Sequence, residues 1–151
     1  MNADTHPLYK VSLKVLEDWA MMLVDPVEGS TKIFDLNAPL MMSEVNVHGA
    51  FNGTIAIVAQ KDFTRLLATN LLGDENSADD RACSDAFCEM GNVLAGNFLT
   101  EIYGNDVAFD VLNPHVREIS ANQFEELARA PQSYFFRADE APVCVTFNIV
   151  K

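Results

Sequence analysis

Apolar residues recur at spacings of three and four from Leu8 through Val11, Val15, Trp19 and Met22, with Leu16 beside them. The spacing predicts a first helix over Leu8 to Val24, ended near Asp25 and Pro26, with Trp19 anchored in its apolar stripe. At most one short strand is expected through Thr31 to Leu36, because Ile33 and Asp35 conflict with one-sided burial. The period then changes to two. Val45 and Val47 alternate with Glu44 and Asn46, and Ile55 and Ile57 alternate with Thr54 and Ala56, which predicts strands over Leu40 to Gly49 and Thr54 to Ala59. Asn52 and Gly53 are the hairpin-turn signal between them.

A second helix is expected from Asp62 to Leu72, turning Phe63, Leu66 and Leu67 inward and stopping at Gly73, Asp74 and Glu75. The third, Asp79 to Tyr103, is the longest uninterrupted amphipathic stretch in the chain. At about 100° per residue, Cys83, Phe87, Met90, Leu94 and Phe98 fall on one side, and Asp85, Glu89, Asn92 and Gly96 fall together on the other. Gly104 to Asp106 stop this helix, and Val107 to Leu112 is expected as a strand broken by Asn113 and Pro114. Ser120 to Ala130 reads as a short helix or an ordered loop. Ser133 to Arg137 and Ala141 to Val150 read as a hairpin, the latter with Val143, Val145, Phe147 and Ile149 on one face. Helices joined to strands in mostly antiparallel hairpins define an α+β, two-layer domain with its helices packed on one face of a mainly antiparallel sheet.

Composition narrows what this domain does. A chain of 151 residues that is 49% hydrophobic is expected to form one domain over 1–151, with a substantial core and no need of disulfides or a structural metal. The formal charge of −12, from 22 acidic and 10 basic residues without a basic cluster, opposes binding to nucleic acid and to anionic membrane surfaces. No apolar run approaches the roughly 20 residues of a spanning helix, and the start lacks a secretory pattern, so a cytoplasmic protein without membrane insertion is expected. Cys83, Cys88 and Cys144 suit a reducing compartment and read as small core or half-buried side chains. Gly-rich phosphate loops, the His-Glu-x-x-His pattern, zinc and calcium frameworks and the nucleophile elbow are all missing from the sequence.

The polar side of the long helix is therefore the one organised constellation. A solvated helix face usually carries long charged side chains, whereas this one has a carboxylate at Glu89, an amide at Asn92 and a glycine at Gly96. Gly alone costs about 1 kcal/mol against Ala in a helix. A partner approaches this bare stretch closely, or Gly96 packs against a neighbouring element, or the face is an ordinary polar one that tolerates two poor helix formers. Asp85, one turn before Glu89, is well placed electrostatically near the helix start and is also able to face a partner.

The element DAFCEMGNVLAGNF, preceded by FNGTIAIVAQKDFTRLLATNLLGDE and followed by FDVLNPHV, resembles the chemotaxis phosphatases of the CheC, CheX and FliY family, and the CheX form in particular. The match is the pattern Glu, two residues, Asn, then Gly four residues on, met by Glu89, Asn92 and Gly96. CheC carries a second copy of the motif; this chain has one. The resemblance implies a homodimer that removes the phosphoryl group from the aspartyl phosphate of a CheY-like receiver domain. It implies that Asn92 orients the hydrolytic water and Glu89 meets the receiver's conserved lysine; Asp85 and Gly96, on the same helix face, are the further candidates for binding the partner. No cofactor is expected in this chain; Mg2+ is expected in the partner receiver. A noncatalytic adaptor of the same fold, docking a receiver or a flagellar-switch component, is the alternative.

Overall fold

The computed structural model describes residues 6–28, 30–106 and 108–150. Its centre is one six-stranded, wholly antiparallel sheet in the order β1-β5-β6-β3-β2-β4. The strands are β1 (Val24–Val27), β2 (Leu40–His48), β3 (Asn52–Ala59), β4 (Asp110–Ile119), β5 (Gln132–Ala138) and β6 (Ala141–Val150). Helices α1 (Pro7–Lys14), α2 (Lys61–Leu72) and α3 (Asp80–Tyr103) cover one face. This is the expected α+β architecture. The main core lies between that layer and the strands, joining Leu8, Leu16, Phe63, Phe87, Leu94 and Phe98 to Val45, Ile55, Ile57, Phe136 and Val145. Burying such side chains contributes about 1.5–3 kcal/mol each.

The opposite face is partly covered as well. Helix α4 (Ala121–Leu127) starts from a capping box, Ser120 accepting from the Gln123 amide and Gln123 accepting from that of Ser120. It packs Phe124 against Phe34, Leu40, Met42, Val58 and Cys144 in a second cluster. The segment left open between helix and ordered loop is thus a helix.

Several boundaries differ from expectation. The first helix leaves α geometry after Lys14, continues as a π turn over Val15–Trp19, and ends at Ala20. Residues Val24 to Val27 form strand β1 instead, paired with β5. Pro26 fits there because an edge strand leaves one side without ladder partners, so a missing N–H is tolerated. The hydrogen bonds of Leu23 and Asp139 hold the lead-in: the Leu23 amide donates to the Asp139 carboxylate, and the Asp139 amide to the Leu23 carbonyl. Asp139 and Glu140 both take positive φ, as a two-residue type I′ hairpin requires.

No strand forms at Thr31 to Leu36. A single 3-10 turn, Thr31–Ile33, capped by Ser30, delivers Phe34 to the second cluster. The Asn52-Gly53 pair does not make the first hairpin's turn either; Gly49 to Phe51 do, and Asn52 and Gly53 already belong to β3. Packing explains the glycine, since a Cβ on Gly53 would lie 2.9 Å from Phe147 Cε1 and 3.0 Å from the Asn148 carbonyl oxygen. Likewise β4 runs through Asn113 and Pro114, absorbing them with a register shift against β2 between Glu44 and Asn46. Val107, expected in this strand, lies outside the described residues.

Candidate functional site

Helix α3 begins at Asp79, whose carboxylate accepts the Ala82 amide at 2.8 Å, and stops where Gly104 takes positive φ. Its apolar stripe is buried as expected, through Cys83, Phe87, Met90, Leu94 and Phe98. Gly91 is buried too and sets the distance to the sheet. A Cβ there would stand 2.7 Å from Ser43 Oγ and 2.9 Å from Val45 Cγ2, so a side chain would push the helix off β2. The buried Ser43 hydroxyl donates to the Phe87 carbonyl oxygen at 2.8 Å, fastening strand to helix at the same level.

The other side of α3 is free. Asp85, Glu89 and Gly96 are exposed and Asn92 is half-buried. Among the described residues, Asp85, Glu89 and Asn92 make no hydrogen bond or ion pair through their side chains, so all three polar groups are available to a partner. Among the described residues, nothing outside the helix's own backbone comes within 4 Å of where a Cβ on Gly96 would stand, so no neighbouring element described packs on it.

Asn92 and Gly96 also line a groove of about 630 Å³ between α3 and the first helix. Its far wall holds Lys14, Asp18 and Trp19, the last two carried by the π turn. There the Ala20 amide donates to the Val15 carbonyl, five residues back, at 2.9 Å, and Asn70 of α2 donates its side-chain amide to the Ala20 carbonyl at 2.9 Å. Trp19 is half-buried, packed on the core and lining the groove at once, which joins its expected anchoring role to a surface one. Asn97 gives its side-chain amide to the Val93 carbonyl at 2.7 Å, is exposed, and lines the groove beside Thr100. Asp85 and Glu89 lie outside the groove, on the same helix face toward its N-terminus.

The wall was beyond sequence reasoning, because it is brought beside Asn92 by the packing of the first helix on α3, by the π turn and by the hydrogen bond from Asn70. All three cysteine thiols are held toward their protonated form. Burial pushes the Cys88 thiol up, and the carboxylates of Glu89 and Asp85 push it further; its sulfur donates to the Pro114 carbonyl oxygen at 3.3 Å. Burial raises Cys83 and Cys144 as well. Among the described residues, no group of three or more His, Cys, Asp or Glu side chains is arranged to hold a metal ion, and no helix is long and apolar enough to cross a membrane. What the face offers is one uncharged amide, able to donate and accept together, with a carboxylate one turn away.

The fold is that of the CheC, CheX and FliY class. A crystal structure of the chemotaxis protein CheX from Desulfovibrio desulfuricans superposes with a TM-score of 0.70 at 17% identity, covering 99% of this chain and 100% of that one. The CheX of a CheX-CheY-BeF3-Mg+2 complex from Borrelia burgdorferi gives 0.63 at 18% identity, over 96% of both chains. Thermotoga maritima FliY gives 0.58 at 12% identity, covering 95% of this chain and 85% of that one. The family model described as chemotaxis phosphatase CheX matches residues 41–135, and the chain belongs to that family. No curated protein sequence matches it.

Proposed function

We propose that this protein dephosphorylates the aspartyl phosphate of a CheY-like receiver domain, with Asn92 orienting the attacking water and Glu89 engaging the receiver's conserved lysine. The observation that carries the reading is the unengaged Asn92 amide, half-buried at the mouth of the groove, three residues from an equally unengaged Glu89 on one face of a rigid helix. Membership of the CheX family supports it, as does the likeness to a CheX solved together with CheY.

The residue types suit the chemistry. Hydrolysis of an acyl phosphate needs a water held in line with the breaking P–O bond and little covalent help from the protein. An amide holds that water through one donor and one acceptor without bringing negative charge to the phosphoryl oxygens, which a carboxylate would repel. Glu89, one helical turn away, is separated enough to pair with a cation on the partner while Asn92 enters the reaction centre. Asp85 continues the face toward the partner, and Gly96 leaves the backbone bare for its approach. The magnesium ion belongs to the receiver, and this chain's residues act beside it. The expected homodimer and cytoplasmic setting form part of the same proposal.

The test is direct. Purified protein is mixed with phosphorylated receiver domains from the same organism, and release of inorganic phosphate is followed against receiver alone. Acceleration of at least one receiver, lost in Asn92→Ala, is the expected result. Tight binding of a receiver with no change in its dephosphorylation rate would instead identify an adaptor.

A further inference from the structure

The groove beside Asn92 has a second wall, and no role has been given to it. Lys14 is the one Lys or Arg among the residues that line this groove. It is exposed, and among the described residues it forms no ion pair, although Asp18 follows one turn later and Glu101 lines the same groove. The π turn carries Asp18 and Trp19 to this wall, and such insertions into helices concentrate at functional sites.

We propose that Lys14 is a further partner-binding residue of the site, holding the anionic, phosphoryl-bearing surface of the receiver against α3; this rests on the functional reading above. The case is one of charge. A phosphoryl group carries about −2 at neutral pH, and the receiver's own magnesium offsets that charge at the reaction centre, so Lys14 acts on the anionic surface around it. That surface must be brought to a protein of net charge −12, beside a helix face that already presents Asp85 and Glu89 and a groove that contains Asp18 and Glu101. Distant charges are screened within about 8–10 Å at physiological salt, so the local cation decides. Lys14 supplies it from the opposite wall. An ammonium tied up in an ion pair within its own chain would be less able to do so. Trp19 closes the same wall with a ring that is partly fixed in the core.

The expected signature is a rise in KM with little change in kcat, because Lys14 attracts the partner and does not orient the water. Initial rates are measured while phosphorylated receiver is varied, for wild type, Lys14→Glu, Lys14→Arg and Lys10→Glu. Lys10 is exposed on the same helix outside the groove, so its substitution makes the same change in net charge elsewhere. Lys14→Glu should raise KM about tenfold or more and leave kcat within about threefold, while Lys14→Arg stays near wild type and Lys10→Glu moves KM less than about twofold. A second readout needs no turnover. The single tryptophan, Trp19, is replaced by fluorotryptophan, and its fluorine resonance is followed as receiver held active by beryllofluoride and magnesium is added. The resonance should shift on titration, and the midpoint should move to higher receiver concentration in Lys14→Glu.

Equal effects of Lys14→Glu and Lys10→Glu, with Asn92→Ala still inactive, overturn the role of Lys14 and leave the phosphatase reading standing. An unmoved tryptophan resonance at saturating receiver removes the wall from the interface. Failure of the wild-type protein to accelerate any receiver removes the phosphatase reading, and the tryptophan titration alone then decides whether Lys14 binds the receiver.

Discussion

Two glycines five residues apart on α3 face opposite environments. Gly91 is pressed against the sheet, where a Cβ would lie 2.7 Å from Ser43 Oγ, and Gly96 has nothing among the described residues outside its own helix backbone within 4 Å of that position. Both weaken the helix by about 1 kcal/mol relative to Ala. At Gly91 the fold recovers that cost through close helix–sheet packing and the buried bond from Ser43 to Phe87. At Gly96 the isolated chain recovers nothing. A helix whose buried side is held at fixed distance from β2 can present its other side without wandering, and this is what makes a two-residue polar face sufficient as a site. The comparison separates positions that make the fold from positions that it leaves for a partner.

The strongest way to break this division is Asn92→Ala. Acceleration of receiver dephosphorylation should fall by about 100-fold or more, in the range seen when a positioned polar group is removed from a reaction centre. The melting temperature should stay the same or rise slightly, since Ala is the better helix former and Asn92 has no side-chain hydrogen bond to lose. A matching loss of stability would show that Asn92 belongs to the fold. Glu89→Ala should act less on the chemical step, with an overall rate loss of about tenfold carried largely by weaker receiver binding. Binding of beryllofluoride-activated receiver to immobilised protein checks that split; unchanged affinity would count against a pairing of Glu89 with the receiver's lysine.

The opposite behaviour is expected at Gly91. Gly91→Ala forces either Ser43 to turn away from the Phe87 carbonyl or the stiff Val45 side chain to move. Overpacking of this kind costs about 1–3 kcal/mol, and the gain in helix propensity returns about 1 kcal/mol. A net destabilisation of about 1 kcal/mol would lower the melting temperature of a domain of this size by about 2–4 °C. Combining Gly91→Ala with Ser43→Ala removes one of the two close contacts. The double variant should therefore lose less stability than the sum of the two single changes, and plain additivity would show that the contact is already relaxed.

These residues also show why some of the molecule was legible in the chain and some was not. The buried stripe of α3 and its polar face follow from helical spacing alone, and both lie where the period places them. The pairing of β2 with β3 and of β5 with β6 follows from alternation. Spacing says nothing, however, about which glycine touches the sheet, because that depends on a strand 48 residues earlier in the case of Ser43 and Gly91. The Asn52-Gly53 pair misleads for the same reason: Gly53 makes room for Phe147 and is not needed for the turn. Strand β1 has no apolar alternation and contains Pro26; it exists through pairing with β5. Part of the groove wall is carried by a π turn whose end, Ala20, is tied to Asn70, 50 residues away. Local pattern thus marked the face of the site but not its surroundings.

The smallest expected effect is the most discriminating about Gly96. With open space around the position and no positive φ, Gly96→Ala should stabilise the free protein by about 0.5–1 kcal/mol through helix propensity and a less flexible unfolded chain. Thermal unfolding measures this gain of about 1–4 °C. Clearance for the receiver predicts the reverse in the complex, since the added methyl would occupy surface that the partner approaches: affinity for activated receiver should fall severalfold in the variant whose free state is the more stable. A variant with both higher stability and unchanged affinity would leave Gly96 outside the interface and confine the site to Glu89, Asn92 and the opposite wall of the groove. Opposite signs in the two measurements would place the glycine among the residues kept for the partner at the expense of the helix.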